Sequence, residues 1–280
     1  MAMLVLGLSA FASARADWPS SSSVNLPICV NAGAQSNPVI ASDGAGGAFI
    51  AWRDDRSGND DVYVTHVTAS GAVDPAWPAN GRLLCGASGF QVFPALIVSG
   101  GQAVVGWIDH RTAGYDVYAG RVLAGGSVDP AWPVNGRLVF HLADATLSLS
   151  TRVLLMPDGA GGALVACSDS LHEADVRAHH VLANGTLDPA WPTGGTMLCD
   201  APHDQLSTAM VSDHNNGAIV VWDDRRSGTS FGVYAQHVRA DGTVDPAWPA
   251  QGRVVCDTAF DQTGGQAVTD GAGGAIVIWN

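Results

Sequence analysis

The hexapeptide Val-Asp-Pro-Ala-Trp-Pro occurs at 73–78, 128–133 and 244–249, and as Leu-Asp-Pro-Ala-Trp-Pro at 187–192. Its aspartates, Asp74, Asp129, Asp188 and Asp245, stand 55, 59 and 57 residues apart. Self-similarity at a fixed long period restricts a chain to stacked or circular arrays of one supersecondary unit. Other landmarks keep the same interval. SDGAGGA begins at Ser42, PDGAGGA at Pro157 and TDGAGGA at Thr269, with SGGQA and DHNNGA in the two remaining places.

Each glycine-rich segment opens a run that ends in tryptophan: AFIAWRDDR, AVVGWIDHR, AIVVWDDRR and AIVIWN, with ALVACSDS in the third unit. DVYVTHV, DVYAGRV, DVRAHHV or GVYAQHV follows, then the DPAWP segment, then GRLLC, GRLVF, GTMLC or GRVVC. Four short Val/Ile/Leu-rich runs per unit, punctuated by Gly, Pro, Asn and Asp, are strand and turn signals. None carries a helical period over ten residues. The expected fold is all-β: a β-propeller of four-stranded antiparallel blades, about five in number. In the first unit the strands, named A to D from the channel outward, are expected near 38–43, 48–54, 61–68 and 82–86. NLPICVNAGAQSNPVI aligns with RLLCGASGFQVFPAL, so the N-terminal segment is expected to supply a D strand to the last blade. That blade has only A and B before Asn280. The sequence therefore predicts a chain cut short within residues 25–280, as part of a larger surface protein.

Bulk composition narrows the function. The chain is 47% hydrophobic and 14% charged, with net charge -13 at pH 7. A phosphate-binding surface needs clustered basic residues, so a nucleic-acid partner is excluded. No lysine is present, which removes amine nucleophiles and Schiff bases. Residues 1–16 have an apolar run from Met3 to Ala12, followed by Ala12-Ser13-Ala14 and Ala14-Arg15-Ala16. Small-x-small sites after such a run predict a signal peptide, with 17–24 as linker and a secreted or cell-surface protein. The run is too short for a membrane span. Cys29, Cys85, Cys199 and Cys256 fall at one repeat-equivalent position. Whole-unit spacing exceeds disulfide reach, so they read as buried free thiols.

The motif W-x-D-x-R followed by D-V-Y resembles the secreted, repeat-rich β-propeller proteins of bacteria. It stands here as Trp52, Asp54, Arg56 with Asp61-Val62-Tyr63, as Trp107, Asp109, Arg111 with Asp116-Val117-Tyr118, and as Trp222, Asp224, Arg226 with Gly232-Val233-Tyr234. The resemblance spans about residues 25–280 and implies architecture more than activity. A fainter likeness to sialidase-type propellers implies a glycoside hydrolase. SDGAGGA is not the Asp-box of those enzymes, and Glu173 is the only glutamate here to pair with a tyrosine.

Candidate sites divide into building blocks and ligand contacts. DGAGGA reads as a hairpin, because a strand follows it where a phosphate loop needs a helix. Asp54, Arg56, Asp109, Arg111, Asp224 and Arg226 read as register-fixing pairs, or alternatively as a ring of ligand contacts. Asp54, Asp55, Asp60 and Asp61 offer hard oxygens for calcium, without EF-hand spacing. Trp77, Trp132, Trp191 and Trp248 read as plugs locking each blade, or as a ring of aromatic platforms for sugars. His172, Glu173, Asp175, His179 and His180 suggest zinc on residue type alone, against drift in the most divergent unit. The resulting expectation is a non-catalytic extracellular module for recognition or scaffolding, with a glycan or protein ligand and no cofactor beyond calcium. A glycoside hydrolase is the alternative. An enzyme would show an asymmetric carboxylate site at the channel mouth, and a lectin one pocket repeated in every blade.

Overall fold

In a computed structural model the described residues are 23–112, 114–142, 152–169 and 174–280. The expected signal peptide, His172 and Glu173 lie outside them. The protein is an all-β propeller. Blade one contains β1 (Gln35–Ser42), β2 (Ala48–Asp54), β3 (Asp61–Val67) and β4 (Arg82–Cys85). Blade two contains β5 (Gln91–Ser99), β6 (Gln102–Asp109), β7 (Asp116–Val122) and β8 (Arg137–Phe140). Blade three contains β9 (Leu154–Pro157), β10 (Ala163–Ser168), β11 (Val176–Val181) and β12 (Thr196–Cys199). Blade four contains β13 (Gln205–Ser212), β14 (Ala218–Asp224), β15 (Gly232–Val238) and β16 (Arg253–Cys256). Each is a four-stranded antiparallel sheet in chain order, and β17 (Gln266–Thr269) and β18 (Ala275–Ile278) form a fifth, two-stranded sheet. The innermost strands β1, β5, β9, β13 and β17 follow one another around a channel. Among the described residues no helix is long and apolar enough to cross a membrane.

The DGAGGA segment is the expected hairpin. Asp43 accepts the backbone N–H groups of Ala45 (2.7 Å) and Gly47 (2.9 Å), while Gly44 and Gly46 take φ of 78° and 94°. Positive φ there is what a tight A–B reversal demands and glycine supplies. β2 then runs in register with β3, Trp52 opposite Tyr63 and Asp54 opposite Asp61. Strands buried on both faces explain the near-continuous apolar runs. Core forms at the seams between blades: Ala51, Val62 and Val64 of blade one share one buried cluster with Val105 and Trp107 of blade two.

Two expectations are corrected. The first A strand starts at Gln35 and bulges between Ser36 and Val39, with Asn37 at φ 51°. The N-terminal segment forms no strand over 24–34. A D strand needs a C strand to bond to, and the fifth sheet has A and B only. Even so, Cys29 lies against Arg56 (Nη2 to Sγ 3.0 Å) as Cys85 lies against Arg111 (3.2 Å). Val30 donates to Asn80 just as Gly86 donates to Asn135.

Candidate functional site at the channel mouth

The W-x-D-x-R groups are structural. Asp54 is buried and accepts Trp52 Nε1–H (2.8 Å), the Arg56 backbone N–H (3.0 Å) and Arg56 Nε–H (2.8 Å). Burial alone would raise its pKa, but the Arg56 and Trp52 bonds dominate and hold it at about 2. The Arg56 guanidinium lies 3.9 Å from the Tyr63 ring centroid and donates to the Asn80 carbonyl. Asp109 with Arg111, and Asp224 with Arg226, repeat this in blades two and four. The three aspartates are fully buried, and each arginine is paired to its aspartate. In blade three, where tryptophan is replaced, Asp169 turns to Arg177 instead (2.6 Å).

The calcium candidates diverge. Asp54 is held by Arg56, Asp55 accepts Ala34 N–H, Asp60 pairs with Arg53 at 2.6 Å, and Asp61 accepts Ser57 and Asn59. Among the described residues no three His, Cys, Asp or Glu side chains converge on a metal position. His180, from the zinc reading, bridges Asp158 and Asp188. His66 bridges Asp43 and Asp74 in the same way, and His237 bridges Asp213 and Asp245. His179 packs against the Trp191 ring. The five cysteines are free thiols.

The DPAWP tryptophans close the seams. Trp77, Trp132 and Trp191 are buried, and their Nε1–H groups donate to Ala124, Ala183 and Ala240 carbonyls of the following blade at 3.0–3.1 Å. A Cβ on Gly126 would come 3.0 Å from the Trp77 ring, and one on Gly185 2.7 Å from that of Trp132. These three indoles are packed inside the seams. Trp248 is half-buried, with Arg253 4.9 Å from its ring centroid.

The asymmetric feature lies elsewhere. At or just before the start of each innermost strand, one position lines a cleft, in four units two residues beyond a glutamine at 35, 91, 205 and 262. It holds Asn37, Phe93, Ser207 and Gly264, with Arg152 in the third blade. The x of W-x-D is Arg53, Ile108, Ser168, Asp223 and Asn280. Every blade therefore differs at both positions. They meet across seams: Ser207 N–H donates to Ser168 Oγ (2.7 Å), and Gly264 N–H donates to Asp223 (2.9 Å). Phe93 and Asn37 hold φ near 50°, strain of a kind that collects at functional sites. The register shifts in β1, β5 and β13 fall beside these positions, as bulges next to sites do.

Two clefts share Arg152. One, about 710 Å³, lies between β1, β5 and the start of β9; the other, about 580 Å³, is lined by Arg152, Ser207, Thr208, Asp223, Gln266 and Asn280. Asp223 is 8% exposed. Burial raises its pKa above the ordinary carboxylate value, and the Gly264 and Gly265 amides and the Arg152 charge offset this only in part. A carboxyl whose pKa is raised by burial in a cleft is suited to general-acid work. It is the single carboxylate among the described residues lining either cleft. Sequence reasoning missed this site because it followed what repeats. Variation at one position across all five units was the available signal.

No family model and no curated protein matches the chain. Solved structures do. A Penicillium chrysogenum α-L-arabinanase in complex with arabinobiose is 14% identical, with TM-score 0.51 over 87% of this chain and 74% of that one. A Dyadobacter fermentans protein of unknown function is 10% identical, with TM-score 0.52 over 86% and 73%. A Lactobacillus brevis α-L-arabinofuranosidase is 12% identical, with TM-score 0.43 over 90% and 84%. At these identities the likeness is one of fold. The expectation of a non-catalytic, non-enzymatic recognition module is corrected here. Three of the four repeated tryptophans are buried, and the chain shares its fold with an arabinanase.

Proposed function

We propose that the protein is a propeller glycoside hydrolase acting on a glycan at the channel mouth, with Asp223 as its proton donor. The observation that carries this reading is Asp223, buried in a cleft whose lining differs in every blade, with burial pushing its pKa up. The shared fold with an arabinanase makes arabinose-containing glycans the first substrates to test. Ser207, Gln266 and Asn280 offer hydroxyl and amide groups suited to sugar hydroxyls.

The chemistry follows from the geometry. Protonated Asp223 gives its proton to the glycosidic oxygen as the C–O bond breaks, a water molecule forms the new C–O bond at the anomeric carbon, and that water's released proton goes to solvent, from which Asp223 is reprotonated. The carboxylate left behind is met by the Gly264 and Gly265 amides and by Arg152. Glycoside hydrolysis ordinarily uses a second carboxylate; Asp144 and Glu173, acidic residues of the divergent third unit, lie outside the described residues. An extracellular location, and membership of the secreted W-x-D-x-R propellers, accompany this reading. The test is release of reducing ends from a panel of arabinan, arabino-oligosaccharides and aryl glycosides. Cleavage by the wild type that is lost in Asp223→Asn supports the proposal. Inactivity on the whole panel, or full activity in the variant, overturns it.

A further inference from the structure

Blade two carries a row of aromatic rings that blades one and four do not repeat. Phe90 stands just before β5, His110 just after β6 and Tyr115 just before β7, so all three lie at the end of the blade that forms the channel mouth. The His110 ring stacks on Tyr115, with centroids 4.5 Å apart and planes 21° apart. Phe90 continues the row, parallel to His110 within 1° and 6.3 Å away. Backbone contacts fix the row in place. His110 Nδ1–H donates to the Gly114 carbonyl at 2.9 Å, and its backbone N–H donates to the Phe90 carbonyl at 2.8 Å. Gly89, at φ 80°, leaves no room for a Cβ against the His110 carbonyl. Phe90 is nevertheless 52% exposed. At the three matching positions blade one has Ala34, Asp55 and Asp60, and blade four has Asp204, Arg225 and Phe231. The row is thus another departure from the repeat at the channel mouth.

We propose that Phe90, with His110 and Tyr115 holding it, forms an outer subsite on which a sugar ring of a glycan chain stacks while the chain runs on through the clefts to Asp223. This rests on the glycan reading of the channel mouth and adds a preference for chains of several sugars. The row and the clefts are contiguous. Tyr115 and Phe93 pack on one buried cluster that includes Val153, and Phe93 and Val153 line the larger cleft. Phe90 precedes Phe93 by three residues, so about 11 Å of chain at most separates them. Arg152 joins that cleft to the one holding Asp223. A preset aromatic face beside polar ring edges matches a sugar, which is apolar on its C–H face and hydroxylated at its rim. A stable protein partner would need about 800 Å² on this side. Three partly covered rings, each able to bury about 150–250 Å² in full, fall short of that.

The test is calorimetric titration with linear hexasaccharides of arabinose, xylose, mannose and glucose, using the Asp223→Asn protein so that no chain is cut during the measurement. At least one hexasaccharide should bind. Adding Phe90→Ala should weaken that binding about tenfold or more, Phe90→Tyr should restore it, and the melting temperature of the exposed-site variant should not move. Equal affinity with and without the Phe90 ring, a loss that Phe90→Tyr does not rescue, or no binding of any hexasaccharide overturns the proposal. Reducing-end release by the wild type is read separately. Binding through Phe90 without cleavage would sink the hydrolase reading and leave the subsite standing. Cleavage by the wild type with binding indifferent to Phe90 would sink the subsite alone.

Discussion

Trp77 Nε1 donates to the Ala124 carbonyl at 3.0 Å, across the seam between the first two blades. One residue thereby locks two repeats, its ring packed on Gly126 and its backbone set by flanking prolines. Replacing Trp77, Trp132 or Trp191 by alanine removes a large buried ring and orphans a carbonyl. Each should cost about 3–5 kcal/mol. Half-buried Trp248 should cost clearly less. Urea unfolding of the four single variants checks the ranking.

The close approach at Gly126 gives a sharper test. Its φ is +82°, and an added Cβ would meet the Trp77 ring at 3.0 Å. Gly126→Ala should destabilise by about 1–3 kcal/mol through backbone strain and overpacking. Combined with Trp77→Ala, the overpacking part should vanish. A double-mutant cycle showing additive effects would contradict direct packing.

Asp54 sits in a fixed cage of Trp52 and Arg56. Asp54→Ala leaves the Arg56 guanidinium and the Trp52 N–H without their partner. The expected loss is about 3 kcal/mol or more. Asp109→Ala and Asp224→Ala should behave alike, since the same bonds recur. Thermal unfolding compares them.

Acid should unfold the protein through the carboxylates that the fold holds charged. Asp54 titrates at about 2, below its ordinary 3.8. A depressed folded pKa contributes stability that is fully present above the ordinary value and lost as pH falls toward the folded one. Asp43, Asp158 and Asp213 are also lowered: burial opposes ionisation there, but bonds from hairpin amides and from His66, His180 and His237 outweigh it. The contribution of these lowered carboxylates should therefore be fully present above about pH 5 and be lost steeply between about pH 4 and pH 2. Denaturant midpoints across that range test it.

The repeat made the architecture legible. Glycine and aspartate punctuation marked the B strand at 48–54 as found, and C and D to within a residue. Other features were hidden for physical reasons. His66 is bridged by Asp43 and Asp74, which lie on two different turns, and only the folded blade brings the three together. The N-terminal segment matches a D strand in sequence, but a strand exists only where a neighbour accepts its hydrogen bonds. The channel mouth escaped because motif reading rewards identity. Arg152 and Asp223 stand where the blades disagree.

Asp223 supplies the most direct measurement. A carboxyl whose folded pKa is raised destabilises the fold at pH values above that pKa, because the charged form is poorly solvated. Asp223→Asn keeps an acceptor for Gly264 and removes the charge. Glycan cleavage and melting temperature should be measured together at pH 7 for the wild type and this variant. The account predicts cleavage by the wild type, none by the variant, and a melting temperature that is equal or higher in the variant. An active variant, or an inactive wild type, would contradict it.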